Sequence, residues 1–211
     1  MDLVSRQGLY VLVDPEHTRG RDPVQIARAA LAGGCAILQL RAKRLPDAAR
    51  LALARKLRAL AHAAGVPFVV NDRIDLALLA GADGAHLGQD DIAPADARRL
   101  APHLALGLST HTLAQGVAGA QSGVDVLGFG PVFETRSKER PDPVVGLETL
   151  AAVVRSVSLP VIAIGGIRLD NAAAIAATGA RLGAVIGAVG EADDPESAAR
   201  ALHAALGGAT R

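Results

Sequence analysis

Eight short apolar runs, each followed by an Ala/Leu-rich segment of helical character, constrain this chain more than any other feature. The runs cover residues 9–13, 36–40, 68–70, 84–87, 104–108, 124–128, 161–164 and 184–186. The helical segments cover residues 23–32, 46–64, 74–80, 94–100, 113–121, 147–157, 171–177 and 195–206. Strands spaced by helices build βαβ units and a parallel sheet. The runs are continuously apolar rather than alternating, as in strands covered on both faces. Eight such units without a large insertion predict an α/β fold, a single-domain (β/α)8 TIM barrel over residues 1–211. A doubly wound open sheet is the competing arrangement. It usually carries a GxGxxG turn after its first strand, and "VDPEHTRGRDP" at that place does not match.

Local signals agree with the helices. Asp22 before Pro23 reads as an N-cap followed by a first-turn proline. Pro46 suits a first-turn position, followed by Asp47, and Asp170 or Asn171 suits the cap of the helix near Ala172. Gly33, Gly65, Gly81, Gly123 and Gly179 each fall just past a helical run, where a left-handed residue is wanted.

Composition excludes several function classes. Half of the 211 residues are apolar and only 2% are aromatic, so the core is aliphatic. A net charge of +1 gives no electrostatic reason to expect nucleic acid or a membrane surface as partner. Cys35 is the only cysteine, which excludes an intrachain disulfide and fits a reducing compartment. Within "GCAILQL" it reads as a small core hydrophobe. No run approaches the roughly 18 apolar residues of a membrane span, and "MDLVSRQGLYVLVD" lacks the pattern of a signal peptide. A cytoplasmic location is expected.

In a barrel of this kind the reacting groups stand on the loops that follow the strands. After the second strand, Gln39, Arg41 and Lys43 alternate and so share one face, which suits an anion such as phosphate. After the third come Asn71 and Asp72, with Asp75 reading as a helix-start residue. After the fourth comes "GQDD", ending at Asp91. Asp72 and Asp91, on adjacent loops, suit a shared hard cation such as Mg2+, whose other ligands are water and substrate phosphate. Helix capping is the competing reading for both, most of all for Asp91 ahead of Pro94. After the fifth strand comes "STHT", from Ser109.

After the sixth, Gly130 and Pro131 turn the chain into a charged, proline-punctuated loop over residues 134–144 that reads as a lid. It offers Thr135, Ser137 and Lys138. "GGI" after the seventh strand and "IGAV" after the eighth let backbone N–H groups approach a phosphate.

The motifs "LYVLVD", "QLRAK", "NDRIDLALLAGADGAHLGQDD", "GLSTHT", "GFGPVFETRSK" and "VIAIGGI", in this order, resemble the thiamine-phosphate synthase (thiamine-phosphate pyrophosphorylase) family along nearly the whole chain. The resemblance implies a magnesium-dependent transferase. Such an enzyme joins 4-amino-2-methyl-5-hydroxymethylpyrimidine diphosphate to 4-methyl-5-hydroxyethylthiazole phosphate, releasing pyrophosphate. By motif, it implies that Gln39, Arg41, Lys43, Asn71, Ser109 and Lys138 meet the pyrimidine diphosphate. Asp72 and Asp91 become the Mg2+ ligands. Thr135 and Ser137, with the backbone at Gly166, Ile186 and Gly187, become the thiazole-phosphate site. The resemblance implies that Arg41, Lys43, Lys138 and Ser109 are catalytic, with Mg2+, Arg41, Lys43 and Lys138 neutralising the leaving group as a pyrimidine cation forms.

The chain departs from the family at Ile186-Gly187, where Val-Ser is usual, and at Glu134, where proline is common. The paralogous TenI-like thiazole tautomerases share the barrel and the histidine of STH, here His111. They have no use for Asn71, Asp72, Asp91 and Lys138 together. A non-catalytic barrel that binds thiazole or thiamine phosphate is the third reading, kept open by Gly187. The expected partners are small phosphorylated substrates, and a homo-oligomer is left open.

Overall fold

A computed structural model describes residues 1–135, 137 and 142–209. Its centre is a closed barrel of eight parallel strands in sequential order: β1 (Gly8–Val13), β2 (Ile37–Leu40), β3 (Phe68–Asn71), β4 (Gly84–Leu87), β5 (Ala105–Thr110), β6 (Val126–Phe129), β7 (Val161–Ile164) and β8 (Leu182–Val185). β8 closes on β1, with Tyr10 opposite Ala184. Eight helices follow the strands: α1 (Pro23–Ala32), α2 (Asp47–Ala63), α3 (Ile74–Ala80), α4 (Pro94–Leu100), α5 (Leu113–Ala120), α6 (Gly146–Ser156), α7 (Ala172–Ala177) and α9 (Pro195–Ala205). Between β8 and α9 lies one more short helix, α8 (Gly187–Gly190), and a 3-10 turn (Pro15–His17) follows β1. The predicted (β/α)8 barrel is the observed fold.

Side chains alternate across each strand. On β1, Leu9, Val11 and Val13 join the aliphatic shell between strands and helices, while Tyr10 and Leu12 enter the barrel. The barrel interior holds Tyr10, Leu12, Ile37, Val69, Val126, Ile162, Leu182 and Ala184. Both faces are therefore apolar over most of each strand, which is why the runs read as continuous. Most polar inward positions, Gln39, Asn71, His86 and Ser109 among them, lie in the second half of their strands, with Tyr10 in the middle of β1.

The structure corrects several boundaries. β8 begins at Leu182, two residues before the predicted start, because Gly183 is a strand residue. A Cβ there would lie 2.6 Å from Leu206, so glycine marks close packing under the last helix and not a break. Gly33 is right-handed (φ −74°), and Gly34 (φ +87°) takes the left-handed place. Gly33 is small for a different reason: a Cβ would lie 2.6 Å from Ala199 on α9. Pro46 occupies the N-cap position of α2, one residue outside the predicted start. Asp22 caps α1 as expected, accepting from Val24 N at 2.9 Å. Asn171 stands at the N-cap position of α7 without capping it. Among the described residues no helix is long and apolar enough to cross a membrane.

Candidate active site

A cavity of about 510 Å³ opens at the end of the barrel where the strands finish. Its wall has three parts.

The first part is charged and lies over β2, β3 and β4. Gln39, Arg41, Lys43, Asn71, Asp72 and Asp91 all line the cavity, so the structure brings these sequence-predicted residues together. Arg41 is anchored twice. Its backbone N–H donates to Val13 O at 3.0 Å, and its guanidinium pairs with the buried Asp14 carboxylate. Lys43 Nζ stands 3.4 Å from Asp72 Oδ2.

Neither carboxylate of the pair is spent on a helix. The N-cap position of α3 is Arg73 and that of α4 is Ala93, so the capping reading of Asp72 and Asp91 does not hold. Asp91 instead accepts from Gly88 N at 2.6 Å, closing the loop after β4. Asp72 has φ +63°, a left-handed conformation that aspartate tolerates better than most residues. Burial pushes the Asp72 carboxyl above the usual carboxylate range. The Lys43 ammonium opposes that rise, and the Asp91 carboxylate, within hydrogen-bonding reach, adds to it.

Among the described residues no cluster of three or more His, Cys, Asp or Glu has metal-holding geometry, and the close carboxylate pair at this wall is Asp72 and Asp91. Two hard oxygen donors crowded against each other fit a cation that takes its remaining ligands from water and phosphate. Mg2+ meets that description.

The second part is the neutral floor. Gln39 Nε2 donates to Tyr10 Oη at 2.7 Å, while the buried Gln39 Oε1 has no protein partner among the described residues. Burial also pushes the Tyr10 phenol upward, so it stays protonated. His86 reaches in from β4 and places Nε2 3.0 Å from Ser109 Oγ. Two glycines make room for it. A Cβ on Gly107 would lie 2.3 Å from His86 Nδ1, and one on Gly128 3.0 Å from Cε1. Burial lowers the His86 pKa from 6.5 to about 4, so the ring is neutral near pH 7. Sequence reasoning named Gln39 and Ser109 but missed Tyr10 and His86. Both stand inside apolar runs; the signal available was a polar ring interrupting a strand.

The third part lies over β6, β7 and β8. The loop after β6 is stitched to the end of β7: Val132 N donates to Ile164 O at 2.9 Å and Phe133 N to Gly165 O at 3.0 Å. A Cβ on Gly130 would lie 2.0 Å from Ile164 O, so only glycine permits this approach. Thr135 and Ser137 line the cavity. Gly165 and Gly166 both have positive φ, at +99° and +66°. Asn171 holds their loop, donating to Gly166 O at 3.0 Å and accepting from Arg168 N at 2.8 Å. Gly165 and Ile186 form the wall, with the expected Gly166 and Gly187 set one residue back. Gly187 starts α8, and Glu191 fills the space beside it, with Oε2 3.2 Å from where a Cβ would stand.

His111 spans the two ends of the lid loop. Its Nδ1 lies 2.6 Å from Gly130 O and its Nε2 3.6 Å from Asp142 Oδ2. Lys138, the remaining predicted site residue, lies outside the described residues, as do Arg136 and residues 139–141 of the lid.

This arrangement has counterparts. The family model described as thiamine monophosphate synthase matches residues 9–189. The thiamine-phosphate synthase of Anaeromyxobacter dehalogenans is 50% identical over 200 residues, covering 94% of this chain and 87% of the relative. That of Chloroflexus aurantiacus is 43% identical over 196 residues, covering 93% of this chain and 91% of the relative. Among solved structures, the thiamine phosphate pyrophosphorylase from Pyrococcus furiosus superposes with a TM-score of 0.90 at 36% identity, covering 98% of each chain. A family match through almost the entire barrel, and relatives of similar length at this identity, establish common descent: the chain belongs to the thiamine monophosphate synthase family.

Proposed function

We propose that the protein is a thiamine-phosphate synthase that joins hydroxymethylpyrimidine diphosphate to hydroxyethylthiazole phosphate. The observation that carries this reading is the composition of one cavity: a cationic and dicarboxylate wall faces a wall of glycines and hydroxyls, with a neutral polar floor between them. One wall suits a diphosphate with its metal, the other a phosphate monoester, and the floor an aromatic ring.

The roles follow from chemistry. Gln39 has an unpaired amide oxygen that accepts from the amino group of the pyrimidine. Neutral His86 and Ser109 border that ring without adding charge. Arg41, Lys43 and Lys138 gather the diphosphate, while Asp72 and Asp91 hold Mg2+. When bound, that ion neutralises charge developing on the leaving pyrophosphate. The bond from the pyrimidine methylene carbon to oxygen breaks, and the amino-substituted ring stabilises the resulting cation. The thiazole nitrogen then gives its electron pair to that methylene. Thr135, Ser137 and backbone N–H groups near Gly165 and Ile186 hold the thiazole phosphate so that the nitrogen faces it. No nucleophilic side chain is needed, and the cations act on charge that grows in the transition state.

Against the tautomerase reading stand Asn71, Asp72 and Asp91, which line the same cavity and which proton transfer on a thiazole phosphate does not need.

The test is incubation with both substrates and Mg2+. Thiamine phosphate and pyrophosphate should form in equal amounts, and neither substrate should be consumed alone. Isomerisation of a thiazole phosphate without the pyrimidine would support the tautomerase instead. Tight thiazole-phosphate binding without any turnover would support a carrier or sensor.

A further inference from the structure

We propose that Asp14 is a positioning residue for the pyrophosphate end of the site, acting through Arg41. This rests on the synthase reading, since it assigns Arg41 to the diphosphate.

Asp14 is the first residue after β1, and the cavity does not touch it. It is 2% exposed as a residue and its side chain is fully covered. A carboxylate so completely removed from water is costly unless charged and hydrogen-bonding partners surround it. Asp14 has two. One oxygen takes the Arg41 guanidinium, and the other accepts from Glu16 N at 3.0 Å as the cap of the 3-10 turn. The turn thereby fixes the carboxylate, and the carboxylate fixes the arginine.

The register adds to this. Val13 pairs with Leu40 across β1 and β2, and the next residues of the two strands are Asp14 and Arg41. Arg41 N donates to Val13 O, so backbone and side chain of Arg41 are both tied to the end of β1. An arginine presents several N–H donors in a planar fork. With one donor held by Asp14, the plane of the guanidinium is set and its remaining donors keep one direction. The Arg41 side chain is only 14% exposed, whereas Lys43 beside it is 51% exposed and pairs with the more solvated Asp72. A positively charged group that must meet a leaving group at a defined place has been immobilised, and Asp14 is what immobilises it.

The experiment is calorimetric titration of the whole protein with inorganic pyrophosphate in the presence of Mg2+. Four forms are compared: the natural chain, Asp14→Asn, Arg41→Ala and the double variant. The amide introduced by Asp14→Asn would keep an acceptor for Glu16 N–H while presenting no charge to Arg41. Asp14→Asn should weaken pyrophosphate about ten-fold, the scale of a lost hydrogen bond to a charged group. The double variant should bind no more weakly than Arg41→Ala, because an effect carried through Arg41 cannot be lost twice.

Thiazole-phosphate affinity should stay within about two-fold in Asp14→Asn, which a general loosening of the barrel would not allow. Should Asp14→Asn fail to fold, Asp14→Glu serves in its place. It keeps the charge, moves the guanidinium outward by a methylene, and should still weaken pyrophosphate.

Unchanged pyrophosphate binding in a folded Asp14 variant, or additive losses in the double variant, would overturn the proposal. The synthase reading fails separately, on absence of thiamine phosphate formation by the natural chain, and the pyrophosphate titration remains interpretable in that case.

Discussion

The two walls of the cavity offer an anion opposite kinds of contact. Over β2–β4 the work falls to charged side chains, each restrained by an opposite charge: Arg41 by Asp14, Lys43 by Asp72. Over β6–β8 it falls to the backbone, and the restraint is absence of side chains. Gly130 and Gly165 stand where a Cβ would overlap Ile164 O or Pro131, and Gly166 where it would overlap Glu134 O. A side-chain wall can be altered one charge at a time with the barrel left intact. At Gly130, Gly165 and Gly166 the glycine wall cannot be altered without moving the chain. The difference fits the proposed reaction, in which one wall would respond to charge that grows during bond breaking and the other would hold a phosphate whose charge does not change.

The largest expected effect breaks the charged wall. Arg41→Ala should lower turnover on the order of a hundred-fold, the usual cost of removing a donor aimed at developing charge. Steady-state kinetics at saturating thiazole phosphate checks it. A change confined to the Michaelis constant for thiazole phosphate would assign Arg41 to the wrong wall.

Asp91→Asn comes next. It should raise the Mg2+ concentration needed for half-maximal rate about ten-fold or more. The melting temperature should hold or rise, because the substituted amide would still accept from Gly88 N–H and would no longer repel Asp72. A magnesium titration identical to that of the natural chain would remove the metal role.

Gly187→Ser sharpens the comparison from the other side. Gly187 is not left-handed, so serine meets no backbone penalty, and only the Glu191 side chain has to give way. An added hydroxyl near the phosphate should tighten thiazole-phosphate binding by up to about ten-fold, with pyrimidine-diphosphate binding unchanged.

The last effect lies on the floor and is read in stability rather than in ligand binding. His86 is held at about 4 when folded and returns to about 6.5 when unfolded. Its depressed value means that the unfolded chain takes up the proton first as pH falls. Stability from this group is therefore complete above about pH 6.5 and is lost progressively down to about pH 4. The loss should amount to about 1–3 kcal/mol, because His86 still borders the cavity and solvent screens part of the effect. Denaturant unfolding of the natural chain and His86→Asn at pH 7.5, 5.5 and 4.5 should show that extra slope only in the former.

The barrel was legible because eight mainly apolar runs alternate with helical segments, and most of the runs are flanked by glycine or proline. The side-chain wall was legible for a related reason: Gln39, Arg41, Lys43, Asn71 and Asp72 interrupt or follow such runs with amides and charges. Three features were not. Tyr10 and His86 reach the cavity from within strands, and only the closed register decides that their alternate positions face inward. Asp14 was visible as a residue of "LYVLVD", but its pairing with Arg41 depends on two strand ends lying side by side. The backbone wall was legible only to within a residue, since Gly165 rather than Gly166 faces the cavity and the helix Gly187–Gly190 is too short to announce itself.

The division between the walls is tested most directly by crossed binding titrations on Arg41→Ala and Ser137→Ala, each with Mg2+-pyrophosphate and with thiazole phosphate. Arg41→Ala should weaken pyrophosphate about ten-fold or more and leave thiazole phosphate within about two-fold, and Ser137→Ala should do the reverse. If both variants weakened both ligands to the same extent, the two walls would be one undivided anion site, and the assignment of diphosphate to one and monoester to the other would be wrong.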